Sequence, residues 1–211
     1  MPHRERRIYH ITQKDNLEGI VSRGELISQS VMEKDSVGYY NIAHATIQDR
    51  RAQTPVPCGP GGNLHDYVPF YFAPRSPMLY AINLGNVDGC AAAQADIVHL
   101  VSSTESVAAS GLGFVFTDGH GIMALSEFYD NLDDLGEIDW DVMQARYWAD
   151  TNDDPDRKRR RQAEFLVYKS FPLDMVEMIA VMNERTKDQV EDVFLMANRK
   201  PPIKVKADWY Y

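Results

Sequence analysis

Five consecutive cations, Arg157-Lys158-Arg159-Arg160-Arg161, run through Gln162-Ala163-Glu164 into the apolar stretch Phe165-Leu166-Val167-Tyr168. This stretch constrains the fold most, because a short run of β-branched and aromatic side chains predicts a buried strand. Successive strand side chains point to opposite faces. Glu164 is therefore expected to share a face with Leu166 and Tyr168, while Ala163, Phe165 and Val167 take the other. A carboxylate at the head of such a strand has two readings. It neutralises Arg160 or Arg161 at a sheet edge, the commoner case for a single strand carboxylate. Alternatively it faces a pocket and does acid–base or electrostatic work.

A chain of 211 residues, 44% hydrophobic and 25% charged, is long enough to bury a sizeable core as one domain over residues 1–211. No apolar run approaches the length of about 18 residues that a membrane span needs. The charged opening Met1-Pro2-His3-Arg4-Glu5-Arg6-Arg7 leads into Ile8-Tyr9 instead of an apolar signal core, so the chain reads as cytoplasmic. Cys58 and Cys90 are too few and too isolated for a zinc site or a disulfide framework, so no metal is expected. A net charge of -9 argues at first against a nucleic-acid partner, whose binding is driven by phosphate neutralisation. Its distribution alters that. Residues 127–156 hold eleven of the thirty-one Asp and Glu and a single cation, Arg146; the rest of the chain is close to neutral. The five cations of 157–161 follow directly, as either a polyanion site or a solvated surface run.

Along the chain, Ile8-Tyr9-His10-Ile11 reads as a first strand and Leu17, Ile20 and Val21 as a helix capped by Asp15 or Asn16 and stopped at Gly24. Leu26-Ile27-Ser28 reads as extended, and Ser30 to Asn41 as an aperiodic loop. A helix over Ile42–Ala52 would place His44, Ile47 and Arg51 on one face and turn Arg50 about 100° away. Pro55 to Gly62 is a loop lacking a phosphate-cradle fingerprint. Val68–Ala73 is a strand, followed by Ser76-Pro77 as N-cap and first residue of a helix through Ile82, whose start beside Arg75 suits an anion. Ile97–Val101 and Phe114–Thr117 read as strands separated by a helix at Thr104–Ser110. Leu125, Phe128 and Leu132 suggest a helix, and Asp150–Asp156 a loop. Met178–Met182 and Ile203–Val205 are strands around a helix over 187–198 capped by Thr186. Short strands with helices in irregular order predict an α+β fold, not a doubly wound sheet.

Tyr9-His10-Ile11-Thr12, Asn16-Leu17, Gly24-Glu25-Leu26, Arg50-Arg51, Val68–Phe72 with Arg75–Tyr80, Asn152–Pro155, Arg161–Tyr168 and the terminal Tyr210-Tyr211 stand in an order that resembles the ADP-ribosyltransferase superfamily. More closely they resemble the DarT family of DNA ADP-ribosyltransferase toxins. The likeness covers nearly the whole chain. It implies a central split β-sheet of short strands flanked by helices, with a long substrate-recognition loop, Asp118–Arg161, before the catalytic strand. It implies NAD as co-substrate, transfer of ADP-ribose to a base of single-stranded DNA, most closely thymidine in a short sequence motif, and a DarG-like macrodomain antitoxin as partner; the chain is expected to be a monomer. Glu164 then becomes the catalytic carboxylate and Arg51 its cation. His10 and Thr12 would sit against nicotinamide and ribose, Tyr71 would stack on nicotinamide, and Asn16, Gly24 and Leu26 would shape the adenosine side. Arg75, Met78, Tyr147, Trp148, Arg157 and Arg161 would meet the DNA strand. Asp49 beside Arg50-Arg51 departs from that pattern, and Asp118–Ser126, with Gly119, His120 and Gly121, does not match it residue by residue. The alternatives are an NAD hydrolase, an enzyme modifying RNA or protein, and a non-catalytic nucleic-acid-binding module.

Overall fold

The computed structural model describes residues 6–211, so most of the charged opening segment lies outside the described residues. In chain order the elements are β1 (Arg7–Gln13), α1 (Leu17–Arg23), β2 (Glu25–Ile27), α2 (Gln29–Lys34), α3 (Ala45–Gln53), β3 (Tyr67–Tyr71), α4 (Pro77–Asn83), β4 (Ile97–Ser103) and α5 (Thr104–Ser110). They continue with β5 (Phe114–Thr117), β6 (Phe128–Tyr129), α6 (Trp140–Gln144), α7 (Arg157–Arg160), β7 (Glu164–Tyr168), β8 (Ser170–Pro172), β9 (Met178–Val181), α8 (Glu184–Val193) and β10 (Ile203–Val205). Eight strands form one mixed sheet in the order β10-β9-β4-β1-β3-β7-β5-β6, and β2 pairs β8 separately. This is an α+β architecture.

β7 is the central strand of one half of the sheet, antiparallel to β3 from Tyr67↔Tyr168 to Tyr71↔Glu164 and to β5 on its other side. The alternation expected of it holds. Ala163, Phe165 and Val167 enter the main core, whereas Leu166 and Tyr168 join Leu64, Tyr67, Val115 and Ile122 on the opposite face. Phe165 is fully buried, stacked on Phe114 at 5.1 Å and meeting Phe72 edge-on at 6.1 Å. Burying a ring of that size contributes on the order of 2–3 kcal/mol. β1 runs antiparallel to β4 along its whole length, but it touches β3 at one pair only, Tyr9↔Tyr71. The sheet is therefore two well-paired halves joined at a single crossing, which is the expected split.

Three local expectations are corrected. Ser30–Asn41 is not all loop: α2 occupies its start, a six-residue helix too short to show a 3.6-residue period. Leu125, Phe128 and Leu132 do not form a helix. Phe128 and Tyr129 pair with Thr117 and Phe116 as β6, since the backbone of a sheet edge favours a strand partner, and Leu125 is left 73% exposed. The late helix starts at Glu184, three residues before the expected 187, because Asn183 is the cap and its Oδ1 accepts from the Thr186 N–H at 2.9 Å. The Thr186 hydroxyl, expected to cap, is buried and donates to the Ala95 carbonyl instead. Ser76 and Pro77 open α4 as expected, and Gly24 ends α1 at φ 79°, a left-handed conformation that suits glycine.

Candidate active site

Where β1 and β3 part on one side of their crossing, a cleft of about 490 Å³ opens, within the range of small-molecule sites. His10, Thr12, Asn16, Leu26, Arg51, Tyr71 and Met78 all line it. Gly24 does not; its role is the helix stop, although Arg23 and Glu25 on either side reach the wall. The parting strands leave the Pro69 carbonyl without a ladder partner, and His10 Nδ1 fills the gap at 2.8 Å. A carbonyl only accepts, so Nδ1 carries the proton and Nε2 keeps a lone pair. The Asn16 side-chain amide donates to Thr12 Oγ1 and to the Tyr40 carbonyl, each at 3.0 Å, while its Oδ1 accepts from the Tyr40 N–H at 2.7 Å. One side chain thus ties the 37–43 loop to the cleft floor.

Glu164 is 3% exposed, and its Oε2 accepts from Arg51 Nη1 at 2.6 Å. Its Oε1 accepts from the Gly121 N–H at 3.2 Å, and its own N–H donates to Thr117 Oγ1 at 3.2 Å. Burial pushes the carboxyl up, but the guanidinium of Arg51, the nearby His120 and the Gly121 N–H outweigh it and hold Glu164 below the ordinary value. The group is therefore a carboxylate at neutral pH, and each oxygen still has acceptor capacity to spare. Arg51 itself is 8% exposed, and its Nη2 is buried without a partner. An orphaned guanidinium donor on a cleft wall fits an oxygen-rich anionic ligand such as a pyrophosphate. Arg50 turns the other way, to the Ile122 carbonyl at 3.0 Å, as the helix geometry of α3 requires.

The loop from Asp118 to Ser126, which sequence patterns left unassigned, supplies His120 and the Gly121 N–H to this centre. Its only signal was the glycine pair around a histidine. Arg159 holds it in place. Arg159 Nη1 donates to Asp118 at 3.0 and 3.1 Å and to Ser126 Oγ at 3.2 Å, and its carbonyl accepts from the His120 N–H at 3.0 Å. A Cβ on Gly119 would lie 2.4 Å from Arg159 Nη1 and 3.0 Å from its carbonyl oxygen, so any side chain there would displace Arg159.

The cationic run is not an open basic patch, because the preceding acidic segment folds back onto it. Arg159 and Arg160 pair with Asp156, Arg160 also with Asp154 and Asp139, and Arg157 lies 3.8 Å from Asp154. Arg161, expected at a phosphate, is 4% exposed and donates to the carbonyls of Val142, Met143 and Arg75. The reason is positional: Arg161 lies three residues before the first residue of the buried strand, and its guanidinium follows that strand inward. Arg75 donates through Nε and Nη2 to the Tyr210 carbonyl at 2.9 and 2.6 Å and lies over the Tyr211 ring. Beside Met78 the rings of Tyr80, Trp148 and Tyr211 form a rim, with centroids 4.9 Å apart for Tyr80–Tyr211 and 5.7 Å for Tyr80–Trp148; Tyr147 is 78% exposed. Tyr80 and Tyr211 were not singled out as binders in the sequence.

Two desolvated histidines, His99 buried in the sheet and His10 half-buried on the cleft wall, make stability depend on pH. Desolvation lowers both His10 and His99 to about 4, against a backbone hydrogen bond that raises each. The unfolded chain, at about 6.5, then takes up protons first as pH falls. Stability from these rings is complete above about pH 6.5 and is lost down to about pH 4, roughly 2 kcal/mol per ring by pH 5. Glu164, lowered as well, adds a further loss at lower pH. The urea midpoint is expected to drop between pH 7.5 and 5; an unchanged midpoint contradicts the two neutral rings.

A split mixed sheet, a dinucleotide-sized cleft at the split and a buried strand carboxylate paired with an arginine define an ADP-ribosyltransferase. The family profile described as "ssDNA thymidine ADP-ribosyltransferase, DarT" matches residues 9–211. The DNA ADP-ribosyl transferase of Thermus sp. (strain 2.9) is 46% identical over 206 residues, 97% of this chain and 95% of that one. The structure of Thermus sp. 2.9 DarT in complex with ADP-ribosylated ssDNA superposes with a TM-score of 0.90 at 46% identity, covering 97% of this chain and 96% of that one. The complex of Thermus sp. 2.9 DarT with NAD+ gives 0.87 at 43% identity, covering 97% of both chains. The chain belongs to the DarT family. It is an NAD-dependent DNA ADP-ribosyltransferase. Among the described residues no group of His, Cys, Asp and Glu is arranged to hold a metal ion, and no helix is long and apolar enough to cross a membrane.

Proposed function

We propose that this chain, acting as one domain over residues 1–211, transfers ADP-ribose from NAD to a ring nitrogen of thymidine in single-stranded DNA. The observation that carries the proposal is the buried Glu164 carboxylate, 2.6 Å from Arg51 on the wall of the cleft. The bond between nicotinamide and the ribose anomeric carbon breaks, and nicotinamide leaves as a neutral base. An oxocarbenium-like centre results, and Glu164 stabilises that positive charge. The thymine nitrogen forms the new bond to the same carbon and gives its proton to Glu164. Free thymine holds that proton about as tightly as a phenol, so the guanidinium of Arg51 supports the emerging base anion or the diphosphate.

His10 and Thr12 meet nicotinamide and its ribose, and the ring of Tyr71 stacks on nicotinamide. Asn16 and Leu26 shape the adenosine side, with Gly24 setting the chain direction between them. Met78, Trp148 and Tyr147 border the strand's path, where Tyr80 and Tyr211 add stacking faces for unpaired bases. Arg75 and Arg157 supply positive charge there, and Arg161 acts through the Arg75 carbonyl that it holds. The target base must be accessible, which favours single strands. In this reading the protein is a monomeric cytoplasmic toxin whose modification is reversed by a DarG-like macrodomain antitoxin.

The test is mass spectrometry of a mixed-sequence single-stranded oligonucleotide pool after incubation with NAD. Thymidine carrying one ADP-ribose is the expected product. Free ADP-ribose alone, or label on RNA or protein, would instead support the hydrolase or the other transferases.

A further inference from the structure

The single Tyr9↔Tyr71 crossing opens the sheet on both of its sides. One opening is the NAD cleft. On the other, the start of β1 parts from the chain that follows β3, and a second cleft of about 720 Å³ lies between them. Among the described residues its walls carry five arginines, Arg6, Arg7, Arg75, Arg146 and Arg161, against one carboxylate, Asp208. Among the described residues no ion pair joins Arg7, Arg75, Arg146 or Arg161 to a carboxylate, whereas Arg157, Arg159 and Arg160 of the same cationic run all have one. Arg161 is 96% buried by its 4% exposure, its Nε has no partner, and burial beside the positive Arg75 lowers its pKa. A buried cation facing carbonyls, the Tyr211 hydroxyl and another cation, with no carboxylate paired to it, is an arrangement that an incoming anion stabilises. Trp140 lines the same wall, with the Arg6 guanidinium 4.1 Å from its ring centre.

We infer that this second cleft is a phosphodiester subsite for the DNA strand, engaging nucleotides flanking the target thymidine. The inference rests on the proposed transfer to single-stranded DNA and adds where the strand continues. Continuity favours a strand over a free anion. The Arg75 carbonyl accepts from the Tyr211 hydroxyl of the aromatic rim at 3.1 Å and from Arg161 at 2.9 Å, so residue 75 joins the rim by the NAD cleft to the second cleft. Phosphates passing Arg75 meet Arg7 and Arg146, which are exposed and unpaired among the described residues.

The test compares two oligonucleotides with the same local sequence around one central thymidine, one of about 4 nucleotides and one of about 16, the span of known single-strand sites. The wild-type enzyme is expected to show a lower KM for the long strand. The double variant Arg7→Glu/Arg146→Glu is expected to raise the long-strand KM about tenfold or more at low salt and to flatten its salt dependence, by roughly 0.7 in log–log slope per lost phosphate contact. The KM for NAD, kcat, and transfer to the short strand should be unchanged. Equal effects on both strands, or none on the long one, overturn the subsite. So does stabilisation of the wild type by inorganic phosphate that the variant loses without any dependence on strand length, since that marks a free-anion site. Absence of transfer to either strand by the wild type would instead overturn the proposed reaction itself.

Discussion

Replacing Glu164 by glutamine is expected to reduce transfer to DNA by about a thousandfold or more while NAD binding changes little. The amide keeps the shape of the side chain and an oxygen for the Gly121 N–H, now 3.2 Å from Oε1. What it loses is the negative charge that steadies the oxocarbenium-like centre and the capacity to take the thymine proton. The substitution also leaves the Arg51 guanidinium, 8% exposed, without its counter-charge. Unpairing a buried ion pair costs about 3 kcal/mol, or roughly 6–12 °C in melting temperature for a chain of this size. Calorimetric titration with NAD beside single-turnover transfer assays separates the two effects. A glutamine variant that transfers at wild-type rate would remove Glu164 from the chemistry.

Arg51→Ala has the second largest expected effect, and its signature lies in pH dependence. Without the guanidinium, burial of Glu164 is opposed only by His120 and the Gly121 N–H, so its pKa is expected to rise. The ionised fraction at neutral pH falls, so residual activity, reduced by about two to three orders of magnitude, should climb as pH is raised. Arg51→Lys keeps the charge but gives up the planar fork. It should restore the pH profile toward wild type while recovering only part of the rate. If Ala and Lys variants share one pH profile, Arg51 does not set the ionisation of Glu164.

The strongest sequence signals were those with a local physical cause. Phe165-Leu166-Val167-Tyr168 needed only alternation and β-propensity, and Ser76-Pro77 needed only a cap and a fixed φ. Glu164 and Arg51 were legible as candidates, but from pattern alone the carboxylate read more readily as an edge residue. The likeness to the DarT family was what tipped it. Phe128 and Tyr129 were misassigned because their partner, the free edge of β5, lies outside any local window. Thr186 was a sound cap by type, yet Asn183 stood nearer the true start.

What the sequence determined by itself was most of the longer elements and the identity of the charged side chains, since periodicity, caps and turn residues act over a few neighbours. Which charges remain available was decided only in three dimensions. Arg157, Arg159 and Arg160 are neutralised by aspartates brought back from 118, 139, 154 and 156, while Arg161, adjacent to them in the chain, is drawn inward with β7. Likewise Arg51 and Glu164, 113 positions apart, meet only because α3 packs beside the sheet where β1 and β3 diverge. Coulomb energy depends on separation in space and on burial, and neither quantity is written along the chain.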